Sequence, residues 1–415
     1  MRDCSQPAVA LGPAVRFRAR HRPRLPTISA CLAVLLLGVA PAHRATASGP
    51  AAAVKTGLVI LVQFPGLDED VPREWAQRRF GTQLNDYVQE MSYGRVRLAV
   101  DVTERWHTLP QPVSAYRISP RNLEVDKSRV RALIADALDA VDGEVDVSTY
   151  DFIAIFLRAK LKDYGMIGLC GWPGMLGWGS DGQLRTRSGR VVKRGVAIYS
   201  YQAHLGTLFH DMAHILGGVR DGKRVVPCLY DHDLQARPGP LRDVAVAAMI
   251  NMGFWDPMSC HYIDWGVPPP GLSSWTKLRL QWIDPAKVRV VRPSERAELW
   301  LGALEDGASA TLVVRIPLSA TRYYLVENRQ PIGVDRGLPG HGVLIMRADD
   351  AVPECRHGEA PVKLMNADVS QPRLEGAAFD VPNKAVFVDR DNGVSIRLLE
   401  KVGNAYRIEV APVTG

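Results

Sequence analysis

Leu205-Gly206-Thr207-Leu208-Phe209-His210-Asp211-Met212-Ala213-His214-Ile215-Leu216-Gly217-Gly218 is the stretch on which the reading of this chain turns. Its apolar residues (Leu205, Leu208, Phe209, Met212, Ile215, Leu216) recur at helical spacing, and Gly217-Gly218 stops the run as a C-cap does. His210 and His214 then stand one above the other on one helix face, where both imidazoles can reach a single ion at about 2.0–2.1 Å. Asp211 lies between them, at the position where zinc-holding helical His pairs usually carry a Glu that acts as general base.

Working outward, the chain alternates strand and helix patterns. An unbroken apolar run over 57–64 reads as a buried strand, and 96–102 alternates as a strand with one wet face does. Apolar spacing predicts helices over 75–91 and 126–141. A second buried strand is expected over 152–157, a loop over the Gly- and Trp-rich 165–182, and a short edge strand over 196–199. That mixture reads as an α/β layered domain. Beyond 299 the pattern changes to short β segments punctuated by turns, expected over 311–316, 323–327, 342–346, 385–388, 394–399 and 406–410. Asp389-Arg390-Asp391-Asn392-Gly393 has the look of a calcium-loop fragment, but it lacks the distal Glu and reads better as a β-turn.

The first 47 residues read as a secretory signal peptide. Arg16, Arg18, Arg20, Arg22 and Arg24 precede an apolar run over 28–40, and Ala45-Thr46-Ala47 offers a small-residue cleavage site. The apolar run, about thirteen residues, is shorter than the roughly twenty a spanning helix needs, so export is expected without stable membrane insertion after cleavage. The leader carries seven arginines against one acid, so the formal charge of +7 falls to about +1 without it. The basic balance therefore gives no reason to expect a nucleic-acid partner. Four cysteines remain beyond the leader (Cys170, Cys228, Cys260, Cys355), and in an exported chain an even number suggests disulfides.

An ordered set of motifs surrounds the His pair. It runs from Phe64-Pro65 through Tyr87 and Ser92-Tyr93-Gly94-Arg95 to the helix, then Leu229-Tyr230-Asp231, Gly253-Phe254-Trp255-Asp256-Pro257-Met258-Ser259 and Trp275-Thr276-Lys277-Leu278. Tyr324-Leu325-Val326-Glu327-Asn328-Arg329, Gly340-His341-Gly342-Val343-Leu344-Ile345 and Leu364-Met365-Asn366-Ala367-Asp368 follow. With these motifs, from Leu58 to about Asp368, the chain resembles the immune inhibitor A family of secreted bacterial zinc metalloproteases, relatives of the metzincins. The resemblance implies an α/β (α+β) metzincin-like metalloprotease domain over 55–295, followed by a β-rich C-terminal region over 296–415. It implies Zn as cofactor, His210 and His214 as ligands, Met258 in the turn beneath the metal, and a protein or peptide substrate.

Two positions depart from the family. Asp211 replaces its Glu and is one methylene shorter, so the carboxylate falls short by about 1.5 Å; a misplacement near 1 Å can cost about a hundredfold in rate. The family's third ligand is an Asp following the second His, but here extra residues follow Gly217 and the corresponding run is Pro227-Cys228-Leu229-Tyr230-Asp231. Asp221 is the expected third ligand, with Cys228 and Asp231 as alternatives. A thiolate is a good zinc ligand, but for an exported chain Cys228 is expected in a disulfide with Cys260. The functional expectation is a secreted zinc metalloendopeptidase with Asp211 as base. Its rival is a catalytically impaired pseudoprotease that serves as a secreted binding or structural module.

Overall fold

In the computed structural model, which describes residues 52–118, 125–177, 183–233, 249–259, 266–356 and 358–413, the first apolar run becomes β1 (Ala53–Gln63) at the middle of a mixed sheet. The expected leader, Cys260 and His261 lie outside the described residues. β1 pairs in parallel with β2 (Val96–Val102), β3 (His107–Thr108) and β4 (Phe152–Leu157); β4 pairs in parallel with β6 (Val196–Ser200), and β5 (Gly168–Trp172) runs antiparallel to β6. The order is β2-β1-β4-β6-β5.

Both faces of this sheet are covered, which is why β1 is apolar without alternation. Val59 and Leu61 face a core shared with α1, which comprises Arg73–Ala76, a π-helical middle Gln77–Leu84 and Asn85–Met91, and with α3 (Leu205–Gly217). Leu58, Ile60 and Val62 face the other way, against Val130, Leu133, Ile134, Ala137 and Leu138 of α2 (Lys127–Val141). Asp126 caps α2 by accepting from the backbone N–H groups of Ser128 and Arg129.

Two expectations change here. The segment read as loop over 165–182 contains β5, and the strand expected at an edge, β6, lies between β4 and β5 and is buried throughout. Gly168 and Gly171 hide β5 from a propensity reading, because glycine is a poor strand former that appears where another group approaches closely.

The strands from Val288 onward form a sandwich. One sheet, in order β14-β13-β12-β11-β9, contains β9 (Val288–Val290), β11 (Val313–Pro317), β12 (Arg322–Arg329), β13 (Gly342–Asp349) and β14 (Val362–Leu364). The other is β10-β17-β16-β15, from β10 (Ala297–Leu301), β15 (Val386–Asp389), β16 (Val394–Val402) and β17 (Ala405–Pro412). Val314, Ile316, Tyr324 and Val326 meet Ile396, Tyr406 and Ile408 between the sheets. The opposite face of the first sheet, with Val313, Leu325, Leu344 and Met346, joins the same core as α1, α3, Trp255, Met258 and Trp275. The overall class is thus mixed α/β, with one hydrophobic core running across the expected boundary at 295–296. Asp389 closes the β15–β16 turn, accepting from the backbone and side-chain N–H groups of Asn392. No helix among the described residues is long and apolar enough to cross a membrane.

One guanidinium fastens the sandwich to the segment under α3. Arg329, at the end of β12, is fully buried. It reaches Asp335 through two bonds of 2.7 Å and Glu327 at 3.1 Å, and donates to the carbonyls of Trp255 (3.1 Å) and Gly271 (2.8 Å). Removing one partner of a buried ion network strands the others. Arg329→Ala is expected to cost about 3–5 kcal/mol in urea unfolding. Arg292→Ala, at the exposed 3.0 Å pair with Glu295, should cost less than about 1 kcal/mol.

Candidate metal centre

Helix α3 starts where the sequence implies, with the His204 ring accepting from the Gly206 N–H at 3.1 Å. It is buried through Ile215, so both histidines sit in the interior. His210 Nδ1 bonds to the carbonyl of Pro257 at 2.9 Å, and His214 Nδ1 to that of Val226 at 2.7 Å. Since carbonyls only accept, each Nδ1 carries the proton and each neutral ring presents a bare Nε2 lone pair. The Val226 contact depends on Gly217: a Cβ there would stand 2.7 Å from Val226 Cγ2. Pro257 belongs to the buried turn Pro257–Ser259, where the Met258 N–H donates to Asp256 Oδ1 at 2.8 Å. Asp256 in turn accepts from Ser273 and Thr276, so the turn beneath the His pair is itself held.

Both lone pairs meet one sulfur. Cys228 Sγ lies 3.7 Å from His210 Nε2 and 3.4 Å from His214 Nε2. The three donor atoms lie within 4.8 Å of one another. Bonds of about 2.0–2.1 Å to nitrogen and 2.3 Å to sulfur at tetrahedral angles put N and S about 3.6 Å apart, a value the two distances straddle. Proton counting points the same way. A single S–H can satisfy one Nε2, not both, whereas one cation satisfies all three donors.

Charge is arranged to match. Burial pushes the Cys228 thiol up, but the Arg224 guanidinium and the contacts with the two histidines hold it well below its ordinary value. Burial holds His214 below its usual range and so neutral. It also pulls His210 down, but hydrogen bonding to Cys228 leaves that ring raised. The thiols of Cys170 and Cys355 are both pushed up by burial and stay protonated. Cys228 is a free thiol in contact with the two histidines, and Cys260, its expected disulfide partner, lies outside the described residues.

The other candidates for third ligand lie elsewhere. Asp221 is exposed, at the tip of a hairpin formed by β7 (Val219–Arg220) and β8 (Lys223–Arg224), where Asp221 and Gly222 take φ of 52° and 71°. That is the two-residue turn an Asp-Gly pair favours, and it turns Asp221 into a corner residue. Asp231 is buried, but its oxygens accept from the N–H groups of Asp233 and Gly358, each at 3.0 Å.

Asp211 is buried against β5. Gly168 makes the space, since a Cβ there would stand 2.8 Å from Asp211 Oδ2 and 2.6 Å from Thr207 Cγ2. The carboxyl accepts from the Cys170 N–H, while its Oδ2 has no hydrogen-bond partner. Burial raises it to about 7, with His210 pulling the other way. Asp211, His214 and Cys228 line one cleft of ≈ 330 Å³ with Gly168, Tyr230 and His232.

Arg224 and Glu354 carried no signal in the sequence, whereas Tyr230 belongs to the Leu229-Tyr230-Asp231 motif. Arg224 pairs with Glu354 through both carboxylate oxygens at 3.0 Å, His232 Nε2 lies 3.3 Å from Glu354 Oε2, and Tyr230 stacks on His210 with centroids 5.8 Å apart. Glu354 lies 130 positions from Arg224, a partner that no local motif announces. The Asp221-Gly222 turn signal, by contrast, was there to be read.

Linkage gives a test on the metal-free protein. With Asp211 raised to about 7 in the fold and near 3.9 when unfolded, stability is lost as pH rises between those values. The slope is up to about 1.4 kcal/mol per pH unit. The stability gain of Asp211→Asn over the native chain should therefore grow from pH 4 to 7 and level off above, as read by urea unfolding at each pH. A gain that does not vary with pH would reject the buried, protonated carboxyl.

No protein-family model matches the chain and no curated protein matches it, so the chemistry rests on the centre itself: a buried group of His210, His214 and Cys228 that could hold a metal ion.

Proposed function

We propose that this chain is a secreted zinc-dependent peptidase on a metzincin-like scaffold related to the immune inhibitor A family. Its ligands are His210, His214 and Cys228, and its general base is Asp211. The observation that carries the reading is the convergence of two backbone-anchored imidazoles on one thiolate beside a buried carboxyl oxygen that has no partner. Zinc is the ion this donor set favours, being four-coordinate and at ease with mixed nitrogen and sulfur ligation. Bound there, it would supply Lewis-acid activation of a water and of the scissile carbonyl.

The rest is done by the chain. Cys228 brings the same formal charge as the carboxylate it replaces, and the Arg224 guanidinium favours its ionised form. Asp211, near 7, can accept a proton and return it to a leaving amine around neutral pH. The position of Asp211 against Gly168 supports a site shaped around the shorter acid. β5 ends the sheet beside the cleft, and its outer edge, without a partner strand among the described residues, suits an extended peptide. The enclosure of Asp211 against β5 also favours a second reading, in which the centre is retained by a binding module without catalysis.

Metal analysis should find about one zinc per chain. In the cobalt-substituted protein a sulfur-to-metal charge-transfer band is expected in the near ultraviolet, lost in Cys228→Ser and kept in Asp221→Asn. A band that survives Cys228→Ser would reject the thiolate ligand. On an unstructured protein substrate, Asp211→Asn should lower kcat by about 10²–10⁴-fold at unchanged metal content. Asp211→Glu should also be slower, because the added methylene meets a packed site. Equal, chelator-insensitive rates in all these proteins would leave the binding module standing.

A further inference from the structure

The β7–β8 hairpin borders two recesses. Arg224 lines the metal cleft, whereas Arg220 lines a separate recess of ≈ 740 Å³ with Val225, Arg279, Val288, Val290 and Arg315. This second recess continues into a neighbouring one of ≈ 530 Å³, which shares Arg220, Val225 and Arg279 and adds Lys55, Arg95 and Arg194. Together they present six cationic side chains, of which Arg95 and Arg194 are already paired with Asp284 at 2.9 Å and Asp151 at 3.2 Å; Asp350 is the one lining carboxylate among the described residues. Asp350 is already engaged by Arg279 at 2.9 Å and by the Tyr323 hydroxyl at 3.0 Å. Arg220 and Arg315 have no ion-pair partner among the described residues.

The guanidinium groups are held for use. Arg279 lies over the Trp275 ring at 4.0 Å and Arg315 over Tyr323 at 4.0 Å. Both rings are buried, so each aromatic face is covered by its arginine. Arg279 already donates to the Val225 carbonyl at 3.1 Å and to Asp350, whereas Arg315, stacked in the same way, keeps its in-plane N–H groups for an incoming carboxylate. The site is therefore suited to carboxylates rather than to bases or sugars, which would need the ring faces.

The backbone adds direction. β9 ends its sheet, pairing with β11 alone. The Val291 N–H bonds to Arg315 O and the Lys287 O accepts from Leu312 N, so those two residues face β11. Strand alternation then turns the C=O of Val288 and the N–H and C=O of Val290 outward, the Val288 N–H being taken by the Pro285 carbonyl, and both residues line the recess. Val290 is 53% exposed. An open strand edge beside unpaired arginines fits one occupant in both backbone and charge.

We infer that this groove is a second binding site, taking an extended acidic polypeptide segment that adds to the edge of β9 and sets its carboxylates against Arg220 and Arg315. A peptide edge supplies main-chain hydrogen bonds, and the arginines select for acidic side chains.

The test is fluorescence anisotropy with a labelled ten-residue peptide alternating Glu and Val, and its Gln-Val counterpart, on the intact zinc-loaded chain. The acidic peptide should bind at least tenfold tighter, with the difference shrinking at high salt. Arg220→Glu with Arg315→Glu should weaken it at least tenfold at unchanged zinc content and unfolding midpoint. Val290→Pro keeps the arginines but removes an outward N–H at an edge that tolerates proline; it should weaken the peptide severalfold and leave displacement by a heparin fragment unchanged. Equal affinity for both peptides, or indifference to the double variant, would overturn the site. Insensitivity to Val290→Pro, or a heparin fragment binding more than tenfold tighter than the peptide, would replace the acidic strand with a general polyanion and overturn the assignment.

Discussion

The burial of Arg329 is the constraint on which the arrangement of this protein depends. A guanidinium with no exposure must find an acceptor for every donor it turns inward, and these acceptors come from separate stretches of chain: Asp335, Glu327, and the carbonyls of Trp255 and Gly271. Two residues beyond Trp255, the carbonyl of Pro257 fixes the His210 ring. The β-sandwich is thus part of the support of the metal centre. Its inward sheet face and the turn beneath α3 share one core, and neither could be removed without exposing the other.

Within that frame, the centre is shaped by close approaches. Gly217 lets Val226 come near enough to orient His214, and Gly168 leaves room for Asp211. The hairpin after α3 brings in Arg224, which with Glu354 settles the charge around Cys228. The third donor atom beside the two imidazoles is the Cys228 thiol, from the segment after that hairpin. The extra residues have become a structural corner that faces two recesses.

The sequence made the His pair, the helix under it and most strands legible, because these depend on period and on local stop signals. The motif set also pointed to the Trp255–Ser259 segment. What stayed hidden depended on distance. Glu354 is far from Arg224 in sequence, and Cys228 is an ordinary cysteine until the fold brings its sulfur between two rings. β5 was hidden differently, since its glycines serve neighbouring side chains at the expense of strand propensity. Asp221 carries a local sign of its own: an Asp-Gly pair between basic residues makes a turn, and the residue sits exposed at that corner, outside the His210–His214–Cys228 group.

The anchoring of the two rings to backbone carbonyls on separate segments has a thermodynamic consequence. An ion that binds only when Pro257, Val226 and Cys228 are all in place has no comparable partner in the unfolded chain. Its affinity is then a contribution to folding, growing by about 1.4 kcal/mol for each tenfold rise in free metal above Kd. A compartment poor in metal would hold a less stable form of this chain. The resistance of the whole molecule to unfolding, and not only its centre, would then track the supply of the ion.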